Sequence, residues 1–123
     1  MKNLLWVGLG GFLGAIARYL MGGWIAARLG AAFPYGTLII NVTGSLVLGF
    51  TMGLLDVRTL SPVVRLGLAV GFIGAYTTFS TYTYEAIRLV EDGSLLRAVV
   101  YVLGSVLAGL TAAILGLAAG RAL

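Results

Sequence analysis

Cysteine and histidine are both absent from this chain of 123 residues. No disulfide can form and no thiolate can hold a metal. The missing histidine also removes the most frequent general base, transition-metal ligand and near-neutral pH switch. Charge is nearly as scarce, at 10% of residues against about 25% in soluble domains. With no nucleophile–base pair and no set of metal-ligating side chains, the chain is not expected to be an enzyme.

What is present is apolar: 60% of residues are hydrophobic and the mean hydropathy is +1.06. Residues 29–55, 66–84 and 98–120 contain no Asp, Glu, Lys or Arg, and 3–17 form a shorter charge-free run that resumes beyond Arg18 through Ala27. A hydrocarbon core of about 30 Å needs about 20 such residues per helix. The chain therefore reads as one all-α integral membrane domain over residues 1–123, with four transmembrane helices at about 4–27, 34–55, 62–90 and 95–121. It is expected to sit in the cell membrane as a multi-pass protein with the lipid bilayer as its surroundings. Lys2, the apolar run that follows and Ala15/Ala17 imitate a cleaved signal peptide. Three further spans and the glycine content favour a retained helix.

The spans are separated by turn-forming segments: Phe33-Pro34-Tyr35-Gly36, then Asp56-Val57-Arg58-Thr59 with Ser61-Pro62, then Glu91-Asp92-Gly93-Ser94. Pro34 and Pro62 suit the first turns of the second and third helices. The net charge of +4 comes from 8 Lys/Arg against 4 Asp/Glu with no basic cluster, so it reads as headgroup anchoring and not as nucleic-acid binding. Alternating the loops across the membrane puts Lys2, Arg58, Arg65 and Arg121 on one side and Arg18, Arg28, Arg88 and Arg97 on the other. Topology follows the difference between the two counts, and here the difference is zero. Either one charge is deeper than a loop residue, or both orientations occur and pair. Gly10/Gly14, Gly49/Gly53, Gly67/Gly71 and Gly116/Gly120 have the spacing that lets helix backbones approach closely.

Polar side chains inside such spans are costly and are functional candidates. Thr37, Asn41 and Ser45 form one stripe on the second helix, which either lines a pathway or ties helices together. Tyr101 and Ser105 form a shorter stripe on the fourth, ending at Gly109. The third helix is the most informative. Residues 77–83 hold Thr77, Thr78, Ser80, Thr81 and Thr83 behind Gly74, a composition that makes a poor continuous helix. Irregular backbone at membrane depth persists only where protein or a cavity satisfies it, and broken helices expose carbonyl oxygens that bind ions. The expectation is a break around Gly74–Thr78.

These residues resemble the Fluc (CrcB) family of fluoride channels over nearly the whole chain. The resemblance is carried by Gly10-Gly11-Phe12-Leu13-Gly14-Ala15-Ile16-Ala17-Arg18-Tyr19, by Gly36-Thr37 with Asn41-Val42-Thr43-Gly44-Ser45, and by Gly71-Phe72-Ile73-Gly74-Ala75-Tyr76-Thr77-Thr78-Phe79-Ser80-Thr81-Tyr82 followed by Glu85. It implies a fluoride-specific channel that exports fluoride passively and protects the cell from it. It also implies an antiparallel dual-topology homodimer with a Na⁺ at its centre that is structural and not transported. The carbonyls of Gly74 and Thr77 would hold that ion. The family's pore asparagine matches Asn41, its paired phenylalanines match Phe79 and Tyr82, and its polar track begins at Tyr101 and Ser105. Hydroxyls of Thr37, Ser80 and Thr81 would add donors, and Arg18 and Glu85 would shape the vestibule. Two departures stand out: Tyr82 in place of the commoner phenylalanine, and Gly109 where another hydroxyl is usual.

The chemistry is consistent with those assignments, because a small, strongly hydrated anion needs replacement donors and aromatic rings offer it positive edges. The alternatives are a proton-coupled exporter of the small multidrug type and a membrane scaffold subunit. Such an exporter needs a carboxylate in its first helix, where this chain has only Arg18.

Overall fold

The computed structural model describes residues 1–123 and is entirely helical. Helix α1 spans Lys2–Leu29 and α2 spans Tyr35–Val57. The third span is made of two halves. Val63–Ile73 is wound as a π-helix and continues through one α-helical turn, Gly74–Tyr76; together these form α3. Thr77 and Thr78 are extended, and α4 then runs Phe79–Glu91. Helix α5 is Leu95–Arg121. Four stretches, with Val63–Glu91 counted as one, are long and apolar enough to cross a membrane. The break falls at the middle of the third.

Local sequence sets the ends. Gly30, at φ 79°, terminates α1 while its N–H reaches Ala26 O at 2.9 Å. Gly93, at φ 75°, turns the chain between α4 and α5. Pro34 stands at the start of α2, where its missing N–H costs nothing. Thr78 caps α4, its hydroxyl accepting from Thr81 N at 3.3 Å.

Glycine sets the packing. A β-carbon on Gly10 or Gly14 would collide with the backbone of Gly67 or Phe72 in α3, so α1 lies backbone to backbone against the π-helical half. Helices α2 and α5 mesh in the same way. Gly49 and Gly53 face the carbonyls of Ala113 and Leu117, while Gly116 and Gly120 face those of Leu46 and Phe50. All eight glycines of the four predicted pairs are used within one protomer except Gly67, whose own side is merely close to Trp6. A small core of Tyr82, Leu89, Ala98 and Tyr101 joins α4 to α5. Only 20 of 123 residues are buried, so most of the apolar surface must be covered by lipid or by another chain.

Candidate ion pathway

The break is held open by α2. Asn41 Nδ2 donates to Thr78 O at 3.0 Å, and Asn41 Oδ1 accepts from Thr78 N at 2.8 Å. The side-chain amide thus replaces the helical partners that Thr78 has lost, which is what lets extended backbone persist within an apolar span. Gly44 makes room for Thr77, since a β-carbon there would strike its methyl group. Upstream of the break, Thr77 N and Thr77 Oγ1 both donate to Ile73 O, at 3.0 and 2.9 Å. Thr78 N goes to Asn41, so neither of the amides that would normally cap Gly74 O is available to it. The Thr77 carbonyl has no hydrogen-bond partner in the protomer. Open space adjoins Gly74.

Beside the break, Glu85 joins three elements. Its Oε1 accepts from Thr37 Oγ1 of α2 at 2.9 Å, and its Oε2 accepts from Tyr101 OH of α5 at 2.7 Å. Tyr101 is 1% exposed and Thr37 7%, so the carboxylate meets fixed donors and not bulk solvent alone. Tyr82 OH donates to Val102 O at 2.9 Å, which commits the phenol's single proton to the protein. Phe79 is 76% exposed, its ring centroid 5.8 Å from that of Tyr82 and inclined at 44°. Tyr82 and Tyr101 stand 5.2 Å apart, and the Phe33 ring meets Tyr101 edge-on at 5.5 Å.

Three concavities surround this framework. A vestibule of about 800 Å³ opens near Gly30 and Asp92 and reaches Thr37, Thr78, Thr81 and Glu85. Arg18 lines it, as expected, together with Arg88 and Arg97. Arg88 is paired with Glu91 at 2.8 Å and Asp92 at 3.8 Å; Arg18 and Arg97 have no ionic partner. A groove of about 240 Å³ brings Asn41 and Ser45 together with Thr77, Thr78 and Phe79. A third, of about 560 Å³, runs past Tyr101 and Ser105 on the other side of α2. The candidate residues thus fall into neighbouring spaces and do not line one continuous channel within a single protomer.

Some of the donors in these spaces are free and others are already committed. Thr37, Tyr82 and Tyr101 have each given their single proton to a protein acceptor. Ser45 donates to Asn41 O at 2.7 Å, within its own helix. Asn41 keeps one N–H. Thr81 Oγ1 accepts from Thr78 Oγ1 at 3.0 Å and keeps its proton. Ser80 lies 3.4 Å from Thr78 Oγ1, a long contact. Ser105 Oγ is buried without any partner. At Gly109 the nearest group to an added β-carbon is Ser45 Oγ, at 3.7 Å, so a hydroxyl from α2 occupies the region where α5 lacks one.

Thr78, marked in the sequence only as part of the expected break, makes more of the local bonds than any of the candidate pathway residues. Its signal was the N-cap pattern, a threonine directly ahead of a helical run. Arg97 entered the sequence reading only as a loop charge.

The comparisons bear on what this framework serves. The family model described as CrcB-like protein, Camphor Resistance (CrcB), matches residues 5–117. A protein of Acidobacterium capsulatum named Fluoride-specific ion channel FluC is 51% identical over 118 residues, 95% of this chain and 94% of that one. Proteins of the same name from Geotalea daltonii and Chloroflexus aurantiacus are 47% and 48% identical, each over 122 residues, covering 98% of this chain and 98% and 97% of theirs. Agreement over residues 5–117, and over 95–98% of the chain in these relatives, shows that the chain belongs to the CrcB family.

Proposed function

We propose that this protein is a fluoride-specific ion channel that lets fluoride leave the cell passively, working as an antiparallel dual-topology homodimer around a structural Na⁺. The observation that carries the reading is identity of 51% and 47%, over nearly whole chains, to relatives named for fluoride conduction. The protomer adds chemical support. Fluoride leaves water only for closely placed donors, and Asn41, Thr81 and Ser105 hold protons that no protein group accepts. Phe79, with Tyr82 beside it, presents ring edges of positive character. Thr37, Tyr101 and Ser80 shape the walls, and Arg18 with Arg97 draws anions into the vestibule ahead of Glu85.

The partner copy is supported by what one protomer leaves unfinished. Phe79 is largely exposed, Gly74 borders open space, and the candidate residues lie in separate grooves. The equal charge counts remove the usual reason for a single orientation. An unpartnered carbonyl at Thr77 beside Gly74 fits a hard cation that takes oxygen ligands. These carbonyls from two copies would hold Na⁺, which supplies fixed positive charge near the anion route.

Reconstitution in liposomes tests the reading. Fluoride release measured with an electrode should be fast, should need no proton gradient, and should far exceed chloride release under the same driving force. Proton-driven cation movement would instead identify an exporter. No flux of any ion from correctly assembled protein would leave a scaffold role.

A further inference from the structure

We infer that Tyr76 is a positioning residue for the cation-binding carbonyls, acting through Thr43. The inference rests on the cation reading given above and assigns work to two residues to which that reading gave none; Tyr76 lines none of the three grooves, and Thr43 borders the one that passes Tyr101 and Ser105. Tyr76 is the last residue of α3 and immediately precedes Thr77, whose carbonyl is unpartnered. It is 8% exposed. Its ring stacks on Phe72, with centroids 5.9 Å apart and planes within 15°, and it lies against the surface left bare by Gly44.

The hydroxyl is the informative part. Thr43 Oγ1 lies 2.7 Å from Ile39 O and 3.1 Å from Ile40 O, and carbonyls only accept. The one Thr43 proton therefore points along its own helix. In the 3.1 Å contact between Tyr76 OH and Thr43 Oγ1, Tyr76 must be the donor. A directed chain results, from Tyr76 through Thr43 to the α2 backbone. Residue 77 is thus bracketed by two attachments to α2: Tyr76 to Thr43 before it and Thr78 to Asn41 after it. Backbone between two fixed points has little freedom to turn its carbonyl, and an ion coordinated by carbonyls depends on that orientation. Asn41 itself offers a free N–H to the anion route, whereas Tyr76 lines none of the three grooves. Removing the Tyr76 hydroxyl should therefore weaken cation binding and leave anion selectivity alone.

The test uses the purified, detergent-solubilised protein and follows its melting temperature as Na⁺ replaces N-methylglucamine at constant ionic strength. Wild type should melt higher as Na⁺ rises, with a defined half-effect concentration. Tyr76→Phe and Thr43→Val should each raise that concentration roughly three- to tenfold, the factor that one neutral hydrogen bond represents. The double variant should be no worse than either single one, and Thr43→Ser, which keeps the hydroxyl, should match wild type. Fluoride-over-chloride selectivity in liposomes at saturating Na⁺ should be unchanged in Tyr76→Phe. If the variants melt lower by the same margin at every Na⁺ concentration, with the half-effect concentration unmoved, the hydroxyl pair is merely structural and the inference fails. If wild type does not respond to Na⁺ at all, the cation reading itself fails and takes the inference with it.

Discussion

Asn41 makes both hydrogen bonds that hold Thr78 extended, and one further N–H remains on the same amide. Replacing it with alanine leaves a buried peptide N–H and C=O unsatisfied, at about 1–3 kcal/mol each. Asn41→Ala should therefore lower thermal stability and abolish fluoride flux together. Asn41→Asp can still accept from Thr78 N but donates nothing, so it should lose flux while retaining more of the stability. Melting curves read beside liposome efflux separate the two effects. Equal stability loss in both variants would mean that the Thr78 N–H bond contributes little. Tyr82 gives the opposite pattern. Its phenol serves Val102 O and is not offered to an anion, so Tyr82→Phe should cost about 1 kcal/mol of stability and leave fluoride selectivity intact. A loss of selectivity on that change would place the phenol in the anion route.

Among whole elements, glycine contacts decide which helices can meet. Gly49 and Gly116 face partner carbonyls so closely that a methyl group has no space, and the obstacle is backbone, which cannot swing aside. Gly49→Ala should therefore prevent α2 and α5 from closing and should reduce the yield of monodisperse protein sharply. Gly8 has nothing within 4 Å, and Gly8→Ala should be tolerated. Size-exclusion profiles of the two variants, prepared in parallel, make the comparison. The glycine pairs were visible in the sequence, but which helices they joined was not, because spacing marks a close face without naming its partner. The break was legible for a chemical reason: hydroxyl and β-branched residues cluster between apolar runs at Thr77–Thr83. The π-winding of Val63–Ile73 was not legible. That segment is apolar on nearly all sides, so no periodicity distinguishes i→i+5 from i→i+4 bonding. At the candidate site, Thr37 and Tyr101 stood out as polar residues in apolar helices, and Glu85 was marked by the family resemblance. Their mutual hydrogen bonds join residues 48 and 16 positions apart, and only the fold brings them together. Which protons remain free is likewise a property of the assembled protomer.

For the molecule as a whole, the equal charge counts make a prediction that no single protomer can satisfy. Four positive residues at each end give the insertion machinery no net preference. If two oppositely inserted copies build the channel, a small imbalance should be severe in its effect. Arg28→Gln with Arg88→Gln leaves one side with two positive residues against four and should fix one orientation. Arg58→Gln with Arg65→Gln should fix the other. The absence of native cysteine allows a clean readout, because a single cysteine introduced at the uncharged Asn3 leaves the charge count intact and reports its side of the membrane through an impermeant reagent. Wild type should label to roughly half from outside, and the two biased variants should label almost completely or hardly at all. Each biased variant expressed alone should give little fluoride flux, since like-oriented copies cannot present their breaks to one another across a two-fold axis lying in the membrane plane. Co-expression should restore flux, because each supplies the orientation that the other lacks. Full flux from one biased variant alone would require a parallel assembly, and the two unfinished faces at Gly74 and Phe79 would then need a different partner.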